Sequence, residues 1–303
     1  MTSAMSVKDR LKKKARDCNK STQDILTSYG LERTIYRLSV SEYLERFTLK
    51  GGILLYALFS GDYLRATGDI DLLAKNLPNK TEEIRKIFER IFSIDCDDAL
   101  RYDLDTLRIS DITEFKDYHG VRISIFAYLD KTRIPVSIDI GFDDVVYPNR
   151  VKMSFPALLD METPEIYAYS VYSVISEKFE AIVSLGNANS RYKDFYDIFI
   201  LSGRYDLEGT SLTESIKATF EHRGTSFDDL FALTDRFISS EIHQQRWTAF
   251  LKKKHATLNI GLDEVQKQVK ALLLPIVDNI KDGTSFTSIW DHEVKAWKPV
   301  LLA

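Results

Sequence analysis

The chain reads as an α+β protein, with helices at its N-terminus, a sheet in its middle and a helical C-terminal half. Three observations predict this. Helical spacing of apolar residues dominates residues 5–50, period-two alternation takes over from Thr106 to Ile140, and after Pro156 the pattern turns helical again. At 303 residues, 44% apolar and 28% charged, the chain can bury a full core. A boundary near residue 150 divides it into 1–150, the N-terminal helices plus a core, and 151–303, a helical region expected to complete the site.

The N-terminal helices come first. Ser21-x-x-Asp24 marks a helix start, and Ser41 is expected to cap a further helix running through Leu44 and Phe47. Lys8, Arg10, Lys12, Lys13, Lys14, Arg16 and Lys20 make a basic stretch that is either a solvated helix face or a contact for an RNA backbone. The net charge of -4 gives no chain-wide basic signature for nucleic acid.

Next comes the segment from Lys50 to Leu73. Ile53 to Phe59 reads as a short buried helix that begins at Gly51-Gly52. Free N–H groups and the positive end of the helix dipole favour an anion there, and glycine lets a phosphate approach the backbone. The segment closes on Asp69 and Asp71. If residues 69–73 form a strand, both carboxylates leave one face about 7 Å apart at Cα while Ile70 and Leu72 enter the core. That arrangement can hold a divalent metal.

A helix follows from about Glu82 to Ile94, with Ile84, Ile87, Phe88 and Ile91 on one face. The strands then carry Leu107 and Ile109; Val121, Ile123 and Ile125; and Val136, Ile138 and Ile140, with Asp130 to Arg133 as a hairpin turn. In the last strand, Ser137, Asp139 and Gly141 take the face opposite the apolar set. Asp139 is either an exposed sheet residue or a third carboxylate beside Asp69 and Asp71, since two-metal phosphoryl chemistry gathers several acidic ligands.

In the C-terminal half, a helix from Ser170 to Leu185 carries Val171, Val174, Ile175, Ile182 and Leu185 in a stripe with Lys178 at its centre, and Glu177, Glu180 and Ser184 on the other side. Lys178 either snorkels to the surface along its own stem or points into a cleft where an anion awaits it. Ser190 is expected to cap a helix whose first turn holds Arg191, Lys193 and Asp194, where basic residues oppose the dipole unless an anion compensates.

Two cysteines, Cys18 and Cys96, match no zinc spacing and no disulfide framework, which points to a reducing cytoplasm. The N-terminus lacks an apolar signal-like stretch, and no apolar run reaches the ~18 residues that span a bilayer. No membrane role is expected.

Taken in order, Gly51-Gly52, Arg65-x-Thr67-x-Asp69-Ile70-Asp71, Ser176-Glu177-Lys178-Phe179-Glu180-Ala181 and Arg191-x-Lys193-Asp194-Phe195-Tyr196-Asp197 resemble the AbiEii/AbiGii-type nucleotidyltransferase toxins, to which the MenT toxins are related. The resemblance begins near Tyr29, passes through Phe155 to Leu159 and reaches Arg246-Trp247. It implies a polymerase-β-like nucleotidyltransferase core with a mixed sheet, flanked by the helices already described. It also implies a toxin of a toxin–antitoxin or abortive-infection system in phage defence, with a cognate antitoxin encoded nearby. Asp69 and Asp71 then look like the metal pair for Mg²⁺ or Mn²⁺, Lys178 like the lysine that grips the nucleoside triphosphate (NTP), and Asp194 like a later catalytic acid. Gly51, Gly52, Arg65, Thr67, Arg191 and Lys193 match motif positions that contact the nucleotide. Gly52 stands where the wider superfamily often has serine.

The expected activity is transfer of a nucleoside monophosphate from NTP to an acceptor. Relatives suggest a tRNA 3′ end; protein and small-molecule hydroxyls are chemically open, and the residues do not rank the nucleotides. A nucleotide-binding module without transfer and a purely RNA-binding protein are the alternatives from other classes.

Overall fold

Serine caps set the first two helices. Ser3 and Ser21 each accept a backbone N–H three residues on, from Ser6 and Asp24, and so begin α1 (Ala4–Asp17) and α2 (Thr22–Ser39). α1 turns Val7, Leu11 and Ala15 inward. Its Lys12, Lys13 and Arg16 are exposed, but Asp9 and Asp17 share that side. α2 is buried along most of its length, including Arg37, whose guanidinium holds Asp98 at 2.6 and 3.1 Å. The computed structural model describes residues 3–62, 67–112, 120–186, 191–256 and 258–300.

The helix expected through Phe47 does not form. A single 3₁₀ turn at Leu44–Arg46 leads into the strand β1 (Phe47–Lys50), where Phe47, Thr48 and Leu49 are all buried. A central strand buried on both faces shows no alternation, so periodicity cannot separate it from a helix. Then follow α3 (Gly51–Leu58), β2 (Ile70–Ala74), α4 (Thr81–Phe92), β3 (Leu100–Ile112), β4 (Gly120–Leu129), β5 (Thr132–Phe142), β6 (Val151–Ser154) and β7 (Glu165–Ala168). The apolar face of α4 contains Ile84, Ile87, Phe88 and Ile91, as their spacing predicts, and Phe92 is buried with them.

These seven strands form one mixed sheet in the order β3-β4-β5-β2-β1-β7-β6. β2 runs parallel to β5 and β1 parallel to β7; the other pairs are antiparallel. The β4–β5 turn is tighter than Asp130 to Arg133, since Leu129 already pairs with Thr132. Asp130 takes the positive φ of 54° that a two-residue hairpin demands. Along β4 and β5 the inward set (Val121, Ile123, Ile125; Ile134, Val136, Ile138, Ile140) is buried. The opposite side carries Arg122 and Ser124, and Ser137 and Asp139. Gly30 of α2 meets Ile134 and Val136, which places that helix on the apolar side.

Residues 1–143 and 151–168 make up the sheet unit; residues 144–150 and 169–303 make up a second unit. The second unit contains α5 (Val171–Ser184), α6 (Tyr192–Ser202), β8 (Leu207–Glu208), α7 (Gly209–Arg223), α8 (Asp235–Ile238), α9 (Glu241–Lys253), α10 (Leu262–Asp282), β9 (Ser288–Asp291) and β10 (Ala296–Pro299). Its helices match the expected α+β organisation. The strand β7 and the three-stranded sheet β10-β9-β8 are departures from a wholly helical stretch after Pro156. These strands have two to four residues each, too short to show a period, and pairing alone defines them. Fully buried Trp290 anchors β9 by donating to the Ser202 carbonyl at 2.7 Å. Among the described residues, no helix is long and apolar enough to cross a membrane. Cys18 and Cys96 are both free thiols.

Candidate functional site

In the sheet unit, pairing of β2 with β5 sets Asp71 directly opposite Asp139. Asp69 lies just before β2, while Ile70 and Leu72 are buried as the alternation requires. Each of the three half-buried aspartates offers one carboxylate oxygen, and the three oxygens lie within 4.8 Å of one another. The structure brings Asp139 together with the pair. Three like charges this close repel, and a row of carboxylates of this kind suits a hard divalent cation that prefers oxygen ligands.

Gly51 makes room for this arrangement. It adopts φ +67°, and a Cβ placed on it would lie 1.8 Å from Asp71 Oδ2. The space left by the missing side chain therefore holds the Asp71 carboxylate. Only glycine meets both the positive φ and the close approach. α3 does begin at Gly51-Gly52, with Ile53, Leu54, Leu55 and Ala57 buried. Thr67 is half-buried in the segment before Asp69. Arg65 lies outside the described residues, as does Ser190.

Arg122 is a residue that the sequence reading missed. Its Nε donates to Asp139 Oδ1 at 2.7 Å and its Nη2 to Oδ2 at 2.6 Å. Counting back along the hairpin from the Leu129–Thr132 pair would have found it, because antiparallel register fixes every later pair.

The second unit holds a cluster of its own side chains. Ser170 caps α5, and Lys178 is buried on it. Its ammonium donates to Asp194 Oδ1 at 3.0 Å and to Asp197 Oδ2 at 2.6 Å. Lys178 therefore does not snorkel to water; its partners are two carboxylates of α6. Asp197, fully buried, had no assigned role; its i+3 spacing from Asp194 was the available signal. Asp194 Oδ2 is buried without a hydrogen-bond partner among the described residues, and Arg191 Nη1 lies 3.9 Å from it. α6 starts at Tyr192 with Arg191 at its N-cap, and Lys193 is exposed.

The side of α5 that carries Glu177 and Glu180 is not simply solvated. Arg223 of α7 reaches Glu180 at 2.7 Å, Glu177 at 3.1 Å and Asp144 at 3.1 Å. Those carboxylates hold the guanidinium charged against the cost of its burial.

The family model described as Nucleotidyl transferase AbiEii toxin, Type IV TA system, matches residues 33–268. None of the curated proteins matches the sequence. Among solved structures, the chain is similar to JHP933 from Helicobacter pylori, with 14% identity and a TM-score of 0.49 over 84% of this chain and 92% of that one. Another Helicobacter pylori structure, described only as a candidate nucleotidyltransferase, shows 15% identity and a TM-score of 0.49 over 86% of this chain and 98% of that one. An antigenic nucleotidyltransferase-like protein from Paracoccidioides brasiliensis shows 13% identity and a TM-score of 0.36 over 65% and 88%.

Proposed function

Because the chain belongs to the AbiEii family of nucleotidyltransferase toxins of type IV toxin–antitoxin systems, we propose that it is an active, metal-dependent enzyme that moves a nucleoside monophosphate from NTP to an acceptor hydroxyl. We take the acceptor to be a tRNA 3′ end, the site of action to be the cytoplasm and the role to be phage defence. Family membership implies an antitoxin partner.

One observation carries the reading: the carboxylate oxygens of Asp69, Asp71 and Asp139 lie within 4.8 Å of one another. The donors are all oxygen, which fits Mg²⁺ or Mn²⁺ rather than a soft metal. A divalent ion bound there would neutralise phosphate charge and acidify an acceptor hydroxyl. Asp69, Asp71 and Asp139 are its proposed ligands. Gly51 keeps Asp71 in place by leaving the room its carboxylate occupies.

In the transfer itself, the acceptor oxygen bonds to the α-phosphorus as the bond to pyrophosphate breaks. The N-terminus of α3 at Gly51-Gly52 is proposed to face phosphate, since its free N–H groups and dipole favour negative charge. Lys178 is assigned the triphosphate and Asp194 a catalytic acidic role on the strength of the resemblance, and their direct ion pair is consistent with acting together. Arg65, Thr67, Arg191 and Lys193 are assigned to the nucleotide on the same basis. The exposed lysines of α1 are a candidate contact for the RNA backbone.

The test incubates purified protein with total tRNA, Mg²⁺ and each α-labelled nucleotide, beside Asp71→Asn. Labelled RNA with the wild type alone is the expected result. Nucleotide binding with neither labelled RNA nor pyrophosphate release would replace this reading with that of a binding module.

A further inference from the structure

We infer that Arg122 is a positioning residue that sets Asp139 as the third ligand of the metal site, an inference that rests on the metal-dependent reading above. Arg122 on β4 stands directly across from Asp139 on β5. Its two parallel N–H···O bonds, at 2.7 and 2.6 Å, reach both oxygens of that carboxylate. A fork of this kind fixes the plane of a carboxylate as well as its place.

Each of the three aspartates needs a reason to stay near the others, because their charges repel. Asp71 is seated against Gly51. Asp139 lies on the polar side of β5, its side chain 18% exposed, and Arg122 is its cross-strand partner on β4. Arg122 supplies the missing restraint and part of the compensating charge. Each Asp139 oxygen accepts one of these N–H bonds and keeps a lone pair for a cation. On the far side of Arg122, its β3 neighbour is Ser110, so the cross-strand pair there brings no second carboxylate.

Two contributions pull in opposite directions. As a nearby cation, Arg122 should weaken metal binding; as a clamp on a ligand, it should strengthen it. Hydrogen-bond partners of metal ligands are worth roughly 10- to 100-fold in metal affinity, and the bidentate geometry here favours the clamp.

The experiment titrates the full-length protein with Mn²⁺ alone, without nucleotide, by calorimetry and by electron paramagnetic resonance of the bound ion. The wild type is compared with Arg122→Lys, Arg122→Met and Asp139→Asn, each first checked for an unchanged melting temperature. The Arg122 side chain is 41% exposed, so its replacement leaves the core intact. Lysine keeps the charge without the fork. Both Arg122 variants are expected to bind Mn²⁺ roughly 10- to 100-fold more weakly, with the altered spectrum that Asp139→Asn also gives. Wild-type affinity in Arg122→Lys with tighter binding in Arg122→Met would show a charge effect only and overturn the inference. Unchanged affinity and spectrum in both would overturn it as well, leaving the metal site standing. No Mn²⁺ binding by the wild type would overturn the metal-dependent reading, and this inference with it.

Discussion

Asp71 and Asp139 face each other across β2 and β5, two neighbouring strands that run parallel. Continuing the row outward, Arg122 stands opposite Asp139 on β4 and Lys50 stands opposite Asp71 on β1. The four strands thus carry cation, carboxylate, carboxylate, cation in line. Like charges placed directly opposite are unfavourable to a sheet. The row is consistent with selection for binding a cation at the expense of some stability.

Replacing Asp71 should separate those two demands. Asp71→Asn removes one of three repelling charges but also the charge that faces Lys50, so the protein is expected to stay within about 1 kcal/mol of the wild type in stability. Mn²⁺ affinity and nucleotide transfer should each fall by at least about 100-fold. Urea unfolding, Mn²⁺ titration and the labelled-nucleotide assay measure the three; intact transfer at normal stability would refute the assignment.

Gly51 is expected to tolerate no side chain. Gly51→Ala puts a Cβ against the Asp71 carboxylate and a non-glycine residue at φ +67°, a backbone strain of about 1–3 kcal/mol. Urea denaturation should show that loss, and Mn²⁺ should bind more weakly because Asp71 is displaced. Unaltered Mn²⁺ binding would mean that Asp71 does not depend on this contact.

Lys178 should prove structural as well as functional. In Lys178→Met, Asp194 and Asp197 remain buried without the ammonium that both contact, and breaking a buried pair in this way costs about 3–5 kcal/mol. Adding Asp197→Asn to Lys178→Met should recover part of the loss, as read by chemical denaturation. Equal stability of all three proteins would contradict the geometry. Any loss of transfer in a Lys178 variant therefore has to be normalised to the folded fraction.

His243 predicts a pH dependence of stability. Burial lowers its pKa from the ordinary 6.5, with Arg246 adding to the effect. The ring packs on Phe237, and its Nδ1 lies 2.6 Å from the Tyr192 hydroxyl. With the folded pKa below the unfolded one, the unfolded chain binds the proton more readily. The contribution is fully present above pH 6.5 and declines as pH falls from there toward the folded pKa. Urea midpoints measured from pH 7.5 down to 5 should fall, and His243→Gln should flatten that part of the profile. A wild-type profile that does not fall there, or one unchanged in His243→Gln, would exclude this residue as the cause.

What was legible in the residues was local. Ser21 announced a helix start, the period of α4 named its buried face, and Ile70 and Leu72 pointed inward because a strand must alternate. Phe47 misled because β1 is buried on both faces. The strands β8, β9 and β10 escaped notice because each is defined by its partner rather than by a period of its own. The hairpin lies between these cases: its short turn made the Arg122–Asp139 pair countable in principle.

By itself, the sequence determined the α+β class, the Ser21 cap, the buried face of α4, the alternation that puts Asp69 and Asp71 on one side and the Gly51-Gly52 start of α3. Each of these is settled by steric and hydrogen-bonding rules that act over a few residues. Tertiary structure alone decided that Asp139 joins that pair, that the gap at Gly51 is filled by Asp71, and that Lys178 is shared by Asp194 and Asp197. Those facts depend on which strand lies beside which and in what register, and on how helices pack. The burial of residues far apart in the chain selects those arrangements, and no local pattern encodes them.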